Sequence, residues 1–470
     1  MNGNKKRINA FCDDALGTLD AVGIAQRISH GEISAAEAVE AAIERAKSVN
    51  PAINAIVTET FDLARKQVKN IIPGPFAGVP SFIKDTDDVA GVPTLWGSRA
   101  VPNKPATKSK KFVKQFFSLG LICLGKSALP EFGLAATTEP LSSGITRNPW
   151  KTDYSTGGSS GGSAALVAAG VVPVAHGNDG GGSIRIPAAC CGIVGLKPSR
   201  GRLERVEGSN LMPVNILHQG ILTRTVRDTA VFYAGAEKYR HAPKMPEIGL
   251  VQGPGKNRLR IALYTDTPYG TPCHPESAEL VNSIGALCEK SGHTVYKIPC
   301  PFKAEMADDF IIYWGMIAFF ISFFGPLIIT PGFDRRGLED WTIKLSGHFQ
   351  KNFLKIPATI KRLISFTETY NNIFETFDIL LNPTLSHPTP EIGYMGPEVS
   401  FADAFERVRQ YVAFTPLQNV SGAPAISLPL GFSSNGLPLG VQFGAAFGHE
   451  KKLLELAFEL EEAKPWPRIG

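Results

Sequence analysis

Residues Thr156 to Arg202 read TGGSSGGSAALVAAGVVPVAHGNDGGGSIRIPAACCGIVGLKPSRGR. Two serines, Ser159 and Ser183, sit in separate glycine nests with an Ala/Val-rich run between them. Glycine loses more conformational entropy on folding than any other residue, so a cluster of it marks backbone that must approach something closely or turn through positive φ. Here the nests present serine hydroxyls and backbone N–H groups, the material of a nucleophile and an oxyanion hole.

The remainder of the 470-residue chain frames that site. It is 43% hydrophobic and 19% charged, enough for a large buried core. A net charge of +5 with no long basic run gives no footing for nucleic acid. The cysteines at 12, 123, 190, 191, 273, 288 and 300 are odd in number, and none has zinc-like spacing. No metal or cofactor is called for, and a reduced, cytoplasmic protein is the simple expectation. The N-terminal MNGNKKRINAFCDDALG is too polar for a secretory signal.

Strand and helix signals alternate along the chain, which predicts an α/β fold with a large mixed β-sheet covered by helices on both faces. Helices are expected over 19–48, the second capped by Ser34 and stopped at Asn50-Pro51. Gly78–Asp85 reads as an apolar strand holding one lysine, Leu121–Gly125 as a strand, and Ser163–Ala169 as a small-residue helix. Val171–Ala175 is a strand leading into the second nest, followed by a helix beginning at Ser183. The order 259–264, 276–291, 294–298 is a βαβ-like unit, and Asn435-Gly436 signals a hairpin. The chain is read as one domain over 1–470, with a core of about 20–260 and 400–465 and a more variable helical cap near 300–400.

Phe310 to Ile329, FIIYWGMIAFFISFFGPLII, has no charge and the length of a membrane span, but Gly325-Pro326 interrupts it and Gly315 weakens its interior. A buried helix, or two short ones, is the favoured reading over membrane contact. Lys344, His348, Lys351, Lys355 and Lys361 follow among apolar residues, either as a solvated helix face or as one resting on anionic lipid.

Two patterns mislead. Gly120–Ser127, GLICLGKS, satisfies the phosphate-loop pattern GxxxxGK(S/T), yet its middle residues look like a strand and not a loop. Gly157–Gly161 satisfies GxSxG, but KTDYST is a poor preceding strand. His176 is the histidine near the nests and reads as a packed structural residue.

Taken together, GGSSGGSAALVAAG, HGNDGGGSIRIPAACCGIVGLKPSRGR and the upstream GVPSFIKD resemble the amidase signature family over about residues 20–465. GKSALPEFG, TRNPW, NVSGAPAISLPLG and GLPLGVQF also fit. The TTEP run at 137–140 and the HGND variant look most like the branch of cyclic amide-oligomer hydrolases (6-aminohexanoate cyclic dimer). The resemblance implies an amide hydrolase with a Ser–Ser–Lys triad: Ser183 as nucleophile, Ser159 as bridging serine after a cis peptide bond, and Lys84 as base. A lysine accepts a proton only when neutral, and its free pKa is about 10.4. Burial in an apolar strand would lower it. The resemblance further implies an oxyanion hole from the N–H groups of Gly180, Gly181, Gly182 and Ser183, with Asp179 and Arg185 as structural supports. One departure is Asn178-Asp179-Gly180, where the family often has Thr-Asp-Thr; the extra glycine loosens the loop near the leaving group.

The expected partner is a small-molecule amide; homodimer formation is left open. The competing readings are a glutamine-hydrolysing subunit of a tRNA-dependent amidotransferase, a membrane-associated fatty-acid amide hydrolase using 310–329, and a non-catalytic binding protein. Tyr313, Trp314 and Phe319 point to an apolar pocket without naming its ligand.

Overall fold

The structure, a computed structural model, describes residues 7–469. The first six residues of the polar N-terminal stretch lie outside them. Eleven strands run in chain order: β1 Ile56–Glu59, β2 Pro80–Lys84, β3 Ile122–Ser127, β4 Val174–Asp179, β5 Val194–Lys197, β6 His218–Thr223, β7 Arg260–Leu263, β8 Thr294–Lys297, β9 Ile379–Pro383, β10 Ala425–Phe432 and β11 Pro438–Gly444. Eight of them form one mixed sheet in the order β4-β6-β5-β10-β11-β9-β7-β8. Pairing is antiparallel from β4 to β9 and parallel through β9, β7 and β8, the parallel β7/β8 pair coming from the expected βαβ unit. The expected hairpin at Asn435-Gly436 joins β10 to β11.

A second sheet of three strands, β1-β3-β2, adds to the single sheet expected. It lies beside β4, where stitching replaces a regular ladder. Ser81 Oγ donates to the Val174 carbonyl at 2.8 Å, and the Lys84 N–H donates to His176 Nδ1 at 3.2 Å. The end of β2, which carries Lys84, is thereby fixed against the end of β4, which leads into the second glycine nest.

The residues of the phosphate-loop look-alike form β3 itself, paired with β1 on one side and β2 on the other. Their N–H groups are therefore taken up within the fold, the Cys123 N–H for instance donating to Gln67 Oε1 at 3.1 Å. The Ala-rich helix Ala35–Ile53 opens with the capping box of Ser34 and Glu37. It does not stop at Asn50-Pro51 but continues to Ile53, with Asn54 in the left-handed conformation. Proline removes only one late hydrogen bond there, and Asn50 Oδ1 accepts from the Ala55 and Ile56 N–H groups at 2.8 and 3.0 Å, turning the chain into β1.

Helix Gly161–Ala168 is buried along its whole length. Its small residues let it sit between the two sheets; a Cβ at Gly162 would lie 2.4 Å from the Ala128 nitrogen. The helix after the second nest spans Arg185–Cys191, so it starts two residues beyond Ser183 instead of at it. Ile184 takes the cap position, leaving Ser183 on the loop.

The cap region is helical as expected: Ala304–Ile328, Asp340–Lys351 and Ile356–Thr376. The apolar segment forms one continuous helix, because Pro326 falls in its last turn. Gly315 serves close packing: a Cβ there would stand 2.9 Å from the Leu345 carbonyl oxygen of the next helix. Fewer than half of its most apolar residues are buried. One face packs on the core, while Phe320, Phe323, Phe324, Leu327 and Ile328 point outward, Leu327 84% exposed.

Overfilling the inter-sheet helix should destabilise the fold. Ala165→Leu inserts atoms at a fully buried position and is expected to cost about 1–3 kcal/mol, read as a lower unfolding temperature than wild type by differential scanning fluorimetry. An unchanged temperature would show that the helix is loosely packed.

Candidate active site

The end of β2 delivers Lys84 into a region where its ammonium has no carboxylate in contact. The side chain is fully buried. Its Nζ donates to Ser159 Oγ at 2.7 Å and to Asn178 Oδ1 at 2.6 Å. Burial disfavours the charged form and lowers the Lys84 pKa to about 7, against the opposing pull of Asp179 and Asp87. Near neutral pH the amine is thus available as a base. The other nearby lysine, Lys126, differs: it lies 3.0 Å from Asp85 and donates to Thr94 Oγ1 at 2.9 Å.

Ser159 follows a cis peptide bond from Gly158, as the family resemblance implied. Gly158 is needed there for space. A Cβ on it would lie 2.8 Å from the Ala135 carbonyl oxygen and 2.9 Å from the Thr137 nitrogen. Thr138 Oγ1 donates to the Gly157 carbonyl at 2.8 Å, so the TTEP run holds this nest from outside. The next residue ties the two nests together: Ser160 N–H donates to the Ser183 carbonyl at 3.2 Å. Ser159 is 1% exposed, whereas Ser183 is partly open to solvent. Among the described residues Ser183 Oγ has no hydrogen-bond partner, so the serine-to-serine link is not closed in this state. His176 does not bond either serine; its ring nitrogens are engaged by the Lys84 N–H and by Gln219.

The second nest is held by a buried charge pair. Asp179 and Arg185 are both 0% exposed and form a bidentate pair, Nε to Oδ2 and Nη2 to Oδ1, each at 3.0 Å. Burial opposes the Asp179 charge, but the Arg185 guanidinium holds the carboxyl well below the usual carboxylate range. Asp179 also accepts from the Gly182 N–H at 2.7 Å and the Ile184 N–H at 3.1 Å. This removes Gly182 from the expected oxyanion donors, because its N–H is already engaged. The N–H groups of Gly180, Gly181 and Ser183 have no partner among the described residues. Asp179 and Arg185, expected as structural supports, are bonded to each other and to the loop backbone.

Four further residues complete this clamp. Arg185 donates to Gln418, Gln442 and Asn419 at 2.8, 2.8 and 2.6 Å. Asn419 Nδ2 returns to Asp179 Oδ1 at 2.8 Å, and Thr415 Oγ1 donates to the Gly181 carbonyl at 2.6 Å. NVSGAPAISLPLG and GLPLGVQF carry Asn419 and Gln442, but nothing in their spacing shows that they reach the glycine loop. Asn178, which with Gly180 departs from the family pattern, also escaped the sequence reading as a lysine contact. The paired Cys190 and Cys191 are buried packing residues, with Cys190 Sγ 3.4 Å from Tyr411 Oη.

The cap helix reaches the same loop. A Cβ at Gly181 would stand 2.9 Å from the Phe310 ring, and Phe310 lines a cavity of about 30 Å³ with Met306, Trp314, Phe405, Val412 and Pro416. Of the three residues expected to make a pocket, Trp314 lines it. Tyr313 instead accepts from the Val214 N–H and donates to its carbonyl, and Phe319 packs on Phe323 and Phe349. Arg409 stands at this cavity with its charge engaged, 3.3 Å from Asp308 and from Glu406 and 3.7 Å over the Tyr269 ring.

Comparison with known proteins identifies the family. Residues 37–454 match the family described as Amidase. A Mycobacterium leprae protein named "Putative amidase AmiC" is 48% identical over 465 residues, 99% of each chain. The 6-aminohexanoate-cyclic-dimer hydrolase of Paenarthrobacter ureafaciens is 36% identical over 481 residues, covering 95% of each. A solved structure of 6-aminohexanoate cyclic dimer hydrolase complexed with substrate superposes with a TM-score of 0.88 at 35% identity, covering 95% of this chain and 97% of that one. Through these matches, and with a mixed sheet flanked by helices, the chain belongs to the amidase signature family and is an amide-hydrolysing enzyme.

Proposed function

We propose that the chain hydrolyses uncharged amides through an acyl-enzyme on Ser183, with Ser159 and Lys84 carrying the proton. The observation that carries this reading is the fully buried Lys84 Nζ placed 2.7 Å from Ser159 Oγ and in contact with no carboxylate. When Ser183 Oγ turns toward Ser159 and attacks a carbonyl carbon, its proton passes to Ser159 Oγ, whose own proton passes to the neutral Lys84 amine. A tetrahedral oxyanion forms and is met by the free N–H groups at Gly180, Gly181 and Ser183. Collapse breaks the C–N bond; the lysinium returns a proton through Ser159 to the leaving amine, and an ester remains on Ser183. Water, deprotonated by the same relay, then releases the acid and regenerates the serine.

Phe310, whose ring lies against Gly181, and the apolar side chains behind it support an uncharged substrate with apolar flanks, since Arg409, the cation among them, is already paired. Small cyclic and linear amides fit this description, as does the substrate named for the 36%-identical relative.

A second reading concerns where the substrate is met. Phe320, Phe323 and Phe324 line the outward face of the cap helix, and the half-buried Phe319 joins them to Phe349 and Phe353 by ring contacts of 4.6–5.9 Å. Arg335 lies 4.2 Å over Phe323, and Lys351, Lys355 and Lys361 make no ion pair among the described residues. Rings beside unpaired cations suit an anionic bilayer surface, whereas self-association would bring like charges together.

Three outcomes check these readings. Ser183→Ala is expected to abolish hydrolysis of an amide that wild type cleaves, and Lys84→Met and Ser159→Ala to lower kcat by at least about 10³-fold; normal turnover in any of them would refute the relay. Wild-type activity should fall as pH drops through about 7, because protonated Lys84 cannot take a proton, and a pH–rate profile flat from 5 to 8 would contradict this. For the surface, wild type should float with phosphatidylglycerol-containing vesicles and the double variant Leu327→Glu/Leu354→Glu should not. Absence of flotation, with a dimer by light scattering, would assign the patch to self-association.

A further inference from the structure

Asn178 stands in strand β4 one residue before the Asp179 clamp, where it pairs across the ladder with Gln219 of β6. Its two amide atoms have different partners. Oδ1 accepts from Lys84 Nζ at 2.6 Å, and Nδ2 donates to Thr86 Oγ1 at 2.8 Å. Thr86 Oγ1 in turn donates to Asp87 Oδ2 at 2.9 Å. The other carboxylate oxygen of Asp87 accepts from Gln219 Nε2 at 2.9 Å. Gln219 Oε1 lies 2.8 Å from His176 Nε2, and His176 Nδ1 accepts from the Lys84 backbone N–H at 3.2 Å.

The path therefore leaves Lys84 at its ammonium end and comes back to Lys84 at its backbone. Donor and acceptor roles agree all the way round. Because the Lys84 N–H occupies Nδ1, the His176 proton is on Nε2, where it faces the Gln219 carbonyl. That orients the Gln219 amide nitrogen toward Asp87. Desolvation lowers the His176 pKa to about 4, with Lys84 and Lys126 adding to that shift and Asp87 opposing it, so the ring keeps this neutral tautomer.

Resting on the Ser–Ser–Lys reading above, we propose that Asn178 is a positioning residue for Lys84, and that Thr86, Asp87, Gln219 and His176 close a hydrogen-bonded circuit that aims the Nζ lone pair. A neutral lysine amine has two hydrogens and one lone pair. Asn178 Oδ1 can only accept, so of the two neighbours Ser159 Oγ is the one that can turn its hydroxyl proton onto the Nζ lone pair. A threonine or serine at 178 carries a hydroxyl that can either donate or accept, and it would leave that direction unfixed. An aspartate would favour the charged amine. Asparagine is the residue that accepts without charge and is itself anchored through its nitrogen.

The charged and titratable groups around Lys84 come from three directions. Asp87 follows its own strand, and Asp179 and His176 lie on β4. The Asp85–Lys126 pair, 3.0 Å apart, sits on the β2/β3 side, and Arg185 neutralises Asp179 from beyond. The circuit thus contains a single carboxylate, that of Asp87, and its effect on Lys84 has a definite sign.

The test is the rate at which a fluorophosphonate labels Ser183 as a function of pH, which needs no knowledge of the substrate. Wild type is expected to gain reactivity through about pH 7. Asn178→Asp should move that rise upward by about one to three pH units, because a carboxylate in contact with Nζ stabilises its charged form. Asp87→Asn should move it downward. Asn178→Leu should label about 10- to 100-fold more slowly, the scale of one lost hydrogen bond to a charged group. Unfolding temperatures are taken in parallel. Folded Asn178→Asp and Asp87→Asn proteins that keep the wild-type rise would overturn the proposal. If Asn178→Asp does not fold, Asp87→Asn decides alone, and a rise that stays or moves upward contradicts the circuit. Failure of the triad reading is a separate result: wild type itself would then not be labelled at Ser183.

Discussion

A lysine buried without a carboxylate in contact is the constraint around which this molecule is arranged. Removing an ammonium group from water costs several kcal/mol unless it is paired, and a lysine so placed responds by giving up its proton more readily. Lys84 is that group, with two neutral oxygens for neighbours. The features that keep it dry also place it. The three-stranded sheet carries it to the seam, the fully buried Gly161–Ala168 helix backs that seam, and Gly158, lacking a side chain, presses against Ala135 and Thr137 just before Ser159. Any looser arrangement would admit water and restore an ordinary ammonium.

Two adjacent residues at the end of β4 divide the electrostatic work. Asp179 is fully charged, and Arg185, Asn419 and two backbone N–H groups compensate it; it shapes the glycine loop. Asn178 is uncharged and holds the base. The arrangement keeps the strong buried ion pair, whose disruption typically costs 3–5 kcal/mol, off the lysine while still using it to fix the backbone around the nucleophile. It also explains why the C-terminal segments belong to the site, since Gln418, Asn419 and Gln442 satisfy the Arg185 guanidinium from the far end of the chain.

What was legible in the sequence follows from the range of each interaction. Ser159, Ser183 and Lys84 stand in contiguous motifs, and the α/β class follows from local periodicity, so both could be read. The Asn178–Thr86–Asp87–Gln219–His176 circuit could not, because it is assembled by the β2/β4 seam and the β4/β6 register, which no window of sequence contains. Gly182 was expected as a free donor on different grounds: the contact is local, and the Asp179 side chain, three residues upstream, takes its N–H once Arg185 has fixed that carboxylate in place. Pro51 and Pro326 were read as breaks, yet each falls in the last turn of its helix, where losing one hydrogen bond leaves almost no helix beyond it to disrupt. Gly315 was read as weakness, although the neighbouring helix supplies the reason for it.

The central claim is that Ser183, and not the better-bonded Ser159, carries the acyl group. Rapid acid quench of an amide reaction, followed by peptide mass spectrometry, tests this most directly. The account predicts a mass increase equal to the acyl fragment on the peptide containing Ser183, in a protein that still has Lys84 and Ser159. Turnover with the adduct on Ser159, or with no serine adduct under conditions where acylation outpaces deacylation, would contradict it.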